Sequence, residues 1–469
     1  MLLRVPRTQR WGRFMVDQII GSITSFLAKM DYDSIPDHVK VVVRQHLVDS
    51  LGCALGAPGA AFIKRMGPTV LGASSQRGVV IGTDIEVGED GAAFINTALI
   101  RYLDFNDTYP GGHPSDCLGA LLALCGRDVS GKRLLTATVA TYEVYTRLSD
   151  AARFRYRGWD QGSAVALAVV AGIASLRGTG TAELEQAVAM AAVSCVPMRS
   201  TRAGQLSEWK GLATAYAARD AVFLAGLAER GVTGPESPFE GRHGMFDLIT
   251  GPFTLEPFPT EGGRYLTPGA RLKFWPVEYN IQLPVWAALE LSARLEASGQ
   301  TAQEIESVLL LTYWSAWHET ASEEAKWKPT TRETADHSMP YLFARALLDG
   351  DITLHSLESA AYLDPVCTEL AAKISVEVDD VIEAAFPAEL GIVVRATMST
   401  GATIEFELHN PRGHELNRMT IHETRSKFEA MAREAGLRDA QAALSFWETF
   451  DQHETLEAGF ASLSGVRDS

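Results

Sequence analysis

The apolar positions beyond residue 15 fall at helical spacing. Val16, Ile19, Ile20, Ile23, Leu27 and Met30 line one face of a 3.6-residue period. Pro36 suits the first position of a second helix, which Val39, Val43, Leu47 and Leu51 carry towards residues 52–56. Alanine-rich periodic segments follow at 91–103, 117–126, 133–150, 162–176, 182–196 and 209–230, separated by Gly, Pro and Asp. No repeat of fixed period runs through them. Their small side chains let helices approach closely, and the pattern predicts an all-helical domain.

Near residue 265 the pattern changes. The stretch 305–315 (IESVLLLTYWS) is apolar and aromatic with no polar helical face, and predicts a strand. KISVEV at 373–378 alternates, and 393–408 predicts a hairpin turning at Thr400-Gly401. Helices are expected between them at 284–297 and 334–348. Beyond Asn410-Pro411 the chain turns helical again at 419–435 and 437–448, with the composition of the first half. The expected class is mainly α: a helical domain over 15–265 rejoined by 415–469, and a smaller α+β lid domain over 266–414.

Length and composition fit this division. A chain of 469 residues, 46% hydrophobic and 21% charged, is too long for one simple core. Its net charge of −16 argues against nucleic acid or an anionic membrane as partner, since both need a basic footprint. It also means that a site for an anion must concentrate Arg, Lys or His locally. Cys53, Cys117, Cys125, Cys195 and Cys367 form no CxxC pair, which speaks against zinc, iron–sulfur and a disulfide framework, and for a reducing, cytoplasmic setting. No segment is long and apolar enough to span a bilayer. Residues 1–14, with Arg4, Arg7, Arg10 and Arg13 but none of the serine of a transit peptide, are read as an N-terminal extension.

The densest polar run of the helical half is RYLDFNDTYPGGHPSD (101–116). Asp104 is expected at a helix C-terminus, where the dipole raises a carboxyl pKa and suits a proton donor. His113 precedes the next helix, whose positive end favours neutral imidazole, and Ser115 is placed to cap that helix. The plain alternative is that Asp107 and Ser115 are caps and His113 an ordinary loop residue. In STRAGQLSEWKG (200–211), Ser207 reads as an N-cap and Lys210 as an ammonium at a helix start, either held ready for a carboxylate or lying over Trp209. In RLKFWPVEYN (271–280), Lys273, Glu278 and Tyr279 flank a rigid Trp-Pro step at the expected domain junction, a favoured place for a pocket. In TRETADHSMPY (331–341), His337 and Tyr341 are expected on one helix face, with Arg332, Glu333 and Asp336 as caps and pairs.

These runs, together with GWDQGSAVALAVVAG and IPDHV…DSLGCALG, occur in an order that resembles the MmgE/PrpD family over nearly the whole chain. The resemblance implies a pocket between a helical domain and a lid, a homodimer, and dehydration of 2-methylcitrate or a related polycarboxylate such as citrate to 2-methyl-cis-aconitate, with no metal or other cofactor. Polycarboxylate epimerisation, cis-aconitate-type decarboxylation and carboxylate binding without catalysis are the alternatives within the family. Carried onto this chain, the family's loop falls on Asp104, Thr108 and His113, and its lysines on Lys210 and Lys273. The expected scheme has Lys210, Lys273 and Arg101 or Arg202 holding carboxylates while His113 moves a proton, aided by Asp104. Gln161, Glu278 and Tyr279 are expected beside the substrate. Gln161 stands where relatives carry histidine, which weakens the decarboxylase reading most, and the acidic pair of the first loop is softened to Asn106-Asp107.

Overall fold

A computed structural model describes residues 17–57, 77–83, 87–126, 128–204 and 206–464; the extension over 1–14 and the stripe residue Val16 lie outside them. Asp17 opens helix α1 (Gln18–Ala28) by accepting hydrogen bonds from the amides of Ile19 and Ile20. Helix α2 (Asp37–Leu55) begins one residue later than expected, with Pro36 at the cap. The alanine-rich segments become α3 (Glu89–Tyr102), α4 (Leu118–Ala123), α5 (Gly131–Ala152), α6 (Gly162–Arg177), α7 (Thr181–Ser194) and α8 (Trp209–Ala228). Two short strands, β1 (Arg77–Gly78) and β2 (Val87–Gly88), pair antiparallel ahead of α3.

Helix α6 is the axis of the helical body. Every residue from Gly162 to Ala174 is buried, and α5, α7 and α8 pack around it. Such burial on all faces explains why this segment lacks a polar stripe. Small residues set the spacing. A Cβ on Gly172 would stand 2.0 Å from the Thr141 hydroxyl oxygen, and one on Gly119 would stand 2.3 Å from that of Thr97.

The smaller part contains α9 (Gln282–Ala297) and a four-stranded mixed sheet. Its strands are β3 (Ile305–Thr312), β4 (Ile374–Val378), β5 (Gly391–Met398) and β6 (Thr403–His409). The order is β4-β3-β5-β6, with β3 and β4 parallel and the other neighbours antiparallel. The hairpin turns at Thr400-Gly401 as expected, with Gly401 at a positive φ of 82°. The first strand is shorter than its apolar run. It ends at Thr312, and Trp314–Thr320 forms a short helix, α10, whose first amide donates to Glu383 at 2.7 Å.

The helix expected over 334–348 is broken. A helical turn spans Arg332–Ala335, and α11 starts only at Met339 and runs to Asp349. The side chain of Ser338 caps α11 by accepting from the Tyr341 amide, and Pro340 has no amide hydrogen to offer a preceding turn. Asp336 and His337 therefore sit in the break, and His337 does not share a helix face with Tyr341.

The tail forms α12 (Ile421–Glu434) and α13 (Ala440–Trp447), and α12 packs on α2. Phe428 approaches Gly52 so closely that a Cβ there would lie 3.2 Å from its Cα. The preceding residue, Lys427, donates from its ammonium to the carbonyls of Phe105 (2.6 Å) and Lys273 (3.1 Å) and pairs with Asp49 at 2.5 Å. The tail thus ties the 101–116 loop to the 271–280 segment. The architecture is mainly α with a smaller α+β part.

Candidate active site

Asp104 follows the last turn of α3 with a positive φ of 50°, a conformation that Asp tolerates better than most side chains. The turn brings its carboxylate back to Arg101, which donates from Nη1. Lys273 donates to its Oδ1 at 2.7 Å and to its backbone carbonyl at 2.6 Å. Lys210, in the first turn of α8, lies 3.5 Å from its Oδ2. Burial opposes ionisation of Asp104, but Arg101, Lys273 and Lys210 outweigh it and hold the carboxyl well below its usual range. The raised pKa expected of a helix C-terminus is overturned by these cations, and Asp104 is a fixed anion rather than a proton donor. Burial, with Arg101 alongside, pulls the Lys273 ammonium below its usual range, against the opposing pull of Asp104.

Lys210 is neither free nor lying over Trp209. Its ammonium bonds both oxygens of Asp336 at 2.9 Å and lies 3.3 Å from His337 Nδ1, while Trp209 is exposed. Glu208, not Ser207, takes the cap position of α8, without a side-chain cap bond. Asp104, Asp336 and His337 offer donor atoms within 4.8 Å of one another, a spacing a divalent ion could use. The Lys210 ammonium contacts all three of these residues.

His113 stands on the other side of Asp104, with Nε2 at 3.9 Å from Oδ1. Its Nδ1 is 2.5 Å from the carbonyl oxygen of Asp107, an atom that can only accept. The proton of the neutral ring therefore resides on Nδ1, and the lone pair is on Nε2. Burial and the charges of Arg101 and Lys273 push the His113 pKa well below the usual range. The ring is neutral as expected, by burial and these cations rather than by the helix end. Asp107 is itself pinned. Its Oδ2 accepts from Tyr142 at 2.8 Å and lies 2.6 Å from His46 Nδ1, and its Oδ1 accepts from the Ser115 amide at 3.0 Å. Ser115 is no helix cap; its hydroxyl accepts from Asn106 at 2.8 Å.

Asn106 and Gln161 have a common task. Both donate to the buried Asp116, at 2.9 and 3.1 Å. Burial raises the Asp116 pKa to about 6 against the pull of Arg101. A carboxylate at 106 would face another carboxylate, which accounts for an amide at this position. The loop reaches Gln161 through Gly111 (φ 108°) and Gly112, where a Cβ would lie 1.9 Å from the side-chain oxygen Oε1 of Gln161.

These groups line a cavity of about 790 Å³. Its described lining includes seven Arg or Lys against four Asp or Glu, on a chain of net charge −16. Thr108 exchanges two 2.8 Å backbone bonds with Arg271 and joins the loop to the opposite wall. On that wall the Arg271 guanidinium lies 5.8 Å from the Tyr279 ring centre. Glu278 accepts from the Asn280 amide and side chain at 2.6 and 2.9 Å. Burial, with the repulsion of Glu319 and Asp104, lifts its pKa to about 7 despite Lys273. Arg202 is held by Asp160 at 2.6 Å. At the mouth, Arg155 and Arg199 both bind Glu319, at 2.5 and 3.0 Å.

The structure thus gathers Arg101, Asp104, Thr108, His113, Gln161, Arg202, Lys273, Glu278 and Tyr279 around one cavity, with Lys210 one layer behind Asp104. Sequence reasoning missed Asp116, Arg155, Arg199 and Glu319 as site residues, and read Asp336 and His337 as helix residues. The Ser338-Met-Pro340 step, a cap followed by proline, was the sign that the helix restarts there.

A helical body and an α+β part thus meet over a cavity rich in cationic side chains. Residues 21–257 match the MmgE/PrpD N-terminal domain and residues 275–449 the MmgE/PrpD C-terminal domain. The chain belongs to the MmgE/PrpD family. It is 28% identical over 432 residues to 2-methylcitrate dehydratase of Cupriavidus necator, covering 86% of this chain and 87% of the relative. It is 30% identical over 381 residues to 2-methylcitrate dehydratase of Escherichia coli (strain K12), covering 77% of each. An alkylcitrate dehydratase of a fungal species is 30% identical over 339 residues, covering 66% of this chain and 65% of that one. With such relatives across most of its length, the chain is a hydro-lyase.

Proposed function

We propose that this enzyme dehydrates 2-methylcitrate, or a close alkylcitrate or citrate, by acid–base catalysis without a metal. The observation that carries the reading is the His113 tautomer: Nδ1–H is held by the Asp107 carbonyl, leaving Nε2 as a neutral base beside Lys273 and Arg101. In this scheme Nε2 takes the proton from the carbon next to a substrate carboxylate. The charge that develops on that carboxylate is met by Lys273 and Arg101. The adjacent C–O bond breaks, the leaving hydroxyl takes the proton of Glu278, and water departs as the double bond forms. Glu278, its pKa raised by burial to about 7, can carry that proton at neutral pH.

Lys210 supports the metal-free part of the reading, because its ammonium occupies the electrostatic role that an ion would have among Asp104, Asp336 and His337. Dialysis against a chelator should leave the rate unchanged, and restoration of activity by an added divalent ion would overturn this part. The reaction itself is tested by ultraviolet absorbance of the conjugated product, with 2-methylcitrate and citrate as substrates. A folded protein that gives no absorbance with either, yet exchanges substrate hydrogen for solvent deuterium, is an epimerase or isomerase instead. As an assembly we propose a homodimer, read by light scattering as a mass of two chains.

A further inference from the structure

The mouth of the cavity holds an arrangement that the proposed chemistry does not use. Arg155 stands in the turn after α5 and Arg199 in the turn after α7, both on the helical body. Glu319 belongs to α10 on the α+β side and meets both. Arg155 Nη2 lies 2.5 Å from Glu319 Oε1, and Arg199 Nη2 lies 3.0 and 3.2 Å from the two carboxylate oxygens. All three residues line the same cavity as His113 and Lys273. One carboxylate serves two guanidiniums, so the group carries an excess positive charge. The neighbouring pair does not relieve it, because Arg202 is matched by its own Asp160. Burial and the like charge of Arg155 pull the Arg199 guanidinium below its usual range, while Arg155, with Glu319 and Glu278 outweighing burial, is raised. Unlike Asp104, these side chains keep contact with solvent, at 17–26% exposure, so the pairs can exchange partners.

We propose that Arg155 and Arg199 form a subsite for a distal carboxylate of the substrate, and that Glu319 holds that subsite as a placeholder until the substrate carboxylate displaces it. The inference rests on the reading of the cavity as a polycarboxylate site and names which carboxylate count it prefers. A planar guanidinium pair suits a carboxylate in bidentate fashion. A substrate carboxylate that takes over the arginines frees Glu319, which loosens the tie between the helical body and α10. Binding of the distal carboxylate and movement of the α+β side would then be linked events.

The test needs no turnover. Propane-1,2,3-tricarboxylate and methylsuccinate, its analogue with one terminal carboxylate removed, lack the hydroxyl that leaves in dehydration, and their binding is measured by calorimetry. Wild-type enzyme should prefer the tricarboxylate by about tenfold, the worth of one charge-assisted pair. Arg199→Gln should abolish that preference while methylsuccinate binding stays as it was. Glu319→Gln, which removes the competing charge and keeps the side-chain shape, should tighten the tricarboxylate several-fold. If Glu319→Gln weakens both ligands, Glu319 is a structural tie and the placeholder idea falls. No preference in the wild-type enzyme, or equal losses for both ligands in Arg199→Gln, overturns the subsite. Absence of dehydration with a retained preference would sink the proposed reaction alone, and dehydration without a preference would sink the subsite alone.

Discussion

Two places in this cavity repeat one motif, a carboxylate gripped by cations from across the interior, and they differ in almost every consequence. Asp104 is 1% exposed and is held by Arg101, Lys273 and Lys210. Glu319 is held by Arg155 and Arg199 within reach of solvent, and its pKa is drawn down to about 2, the cations prevailing over burial. In the interior, water cannot replace a lost partner, so the geometry is fixed and neighbouring pKa values are displaced. At the mouth, water and substrate can compete, so the same charges serve recognition. Depth, rather than residue type, separates machinery from latch.

The largest effect should come from the base that the inner cluster tunes. His113→Ala is expected to lower kcat by about 10²–10⁴-fold with little change in KM. Steady-state kinetics decides it, and full activity in this variant would remove His113 from the mechanism. Next, Lys273→Met leaves the buried Asp104 short of a partner. The expected loss is about 3 kcal/mol of unfolding free energy in urea, at the low end for a broken buried pair because Arg101 and Lys210 remain. Arg199→Gln at the mouth should cost under about 1 kcal/mol in the same assay. Equal losses would erase the distinction between the two places.

The acid is the third probe. Glu278 acts only when protonated, and its pKa lies above the ordinary carboxylate value, at about 7. His113 acts only when neutral, and its pKa lies well below the ordinary 6.5. Activity is therefore present between the two and lost as pH rises past about 7, with the acid limb lying below pH 6.5. Glu278→Gln should lower kcat by about 10²-fold and abolish the alkaline limb in kcat/KM. An unchanged alkaline limb would assign it to another group.

The inner cluster was largely legible in the sequence, and the mouth was not. Arg101, Asp104, Thr108 and His113 fall in one short polar run, and Lys273 and Glu278 flank a Trp-Pro step where the pattern changes, so local wording marked them. Arg155 and Arg199 lie in isolated 3-10 turns with no period to betray a shared direction, and Glu319 sits 120 residues beyond Arg199 on α10. Their meeting is a product of tertiary folding alone. The protonation of Asp104 was misjudged for a related reason. The helix end is a local feature, but Lys273 and Lys210 arrive from 169 and 106 residues away and override it.

A last probe lies between these extremes and asks how far the inner rigidity extends. Tyr142 is not one of the residues that line the cavity. Its hydroxyl donates to Asp107 Oδ2, and the Asp107 carbonyl in turn sets the tautomer of His113. Tyr142→Phe removes one bond to that carboxylate and leaves those from His46 and the Ser115 amide. The stability loss should be about 1 kcal/mol, as for one hydrogen bond in the interior. If the network only supports the fold, kcat stays unchanged. If it positions the base, the carbonyl drifts, the population with a free Nε2 falls, and kcat drops several-fold at constant KM. Tyr142 is then a positioning residue, and the inner cluster extends one layer beyond the groups that touch substrate.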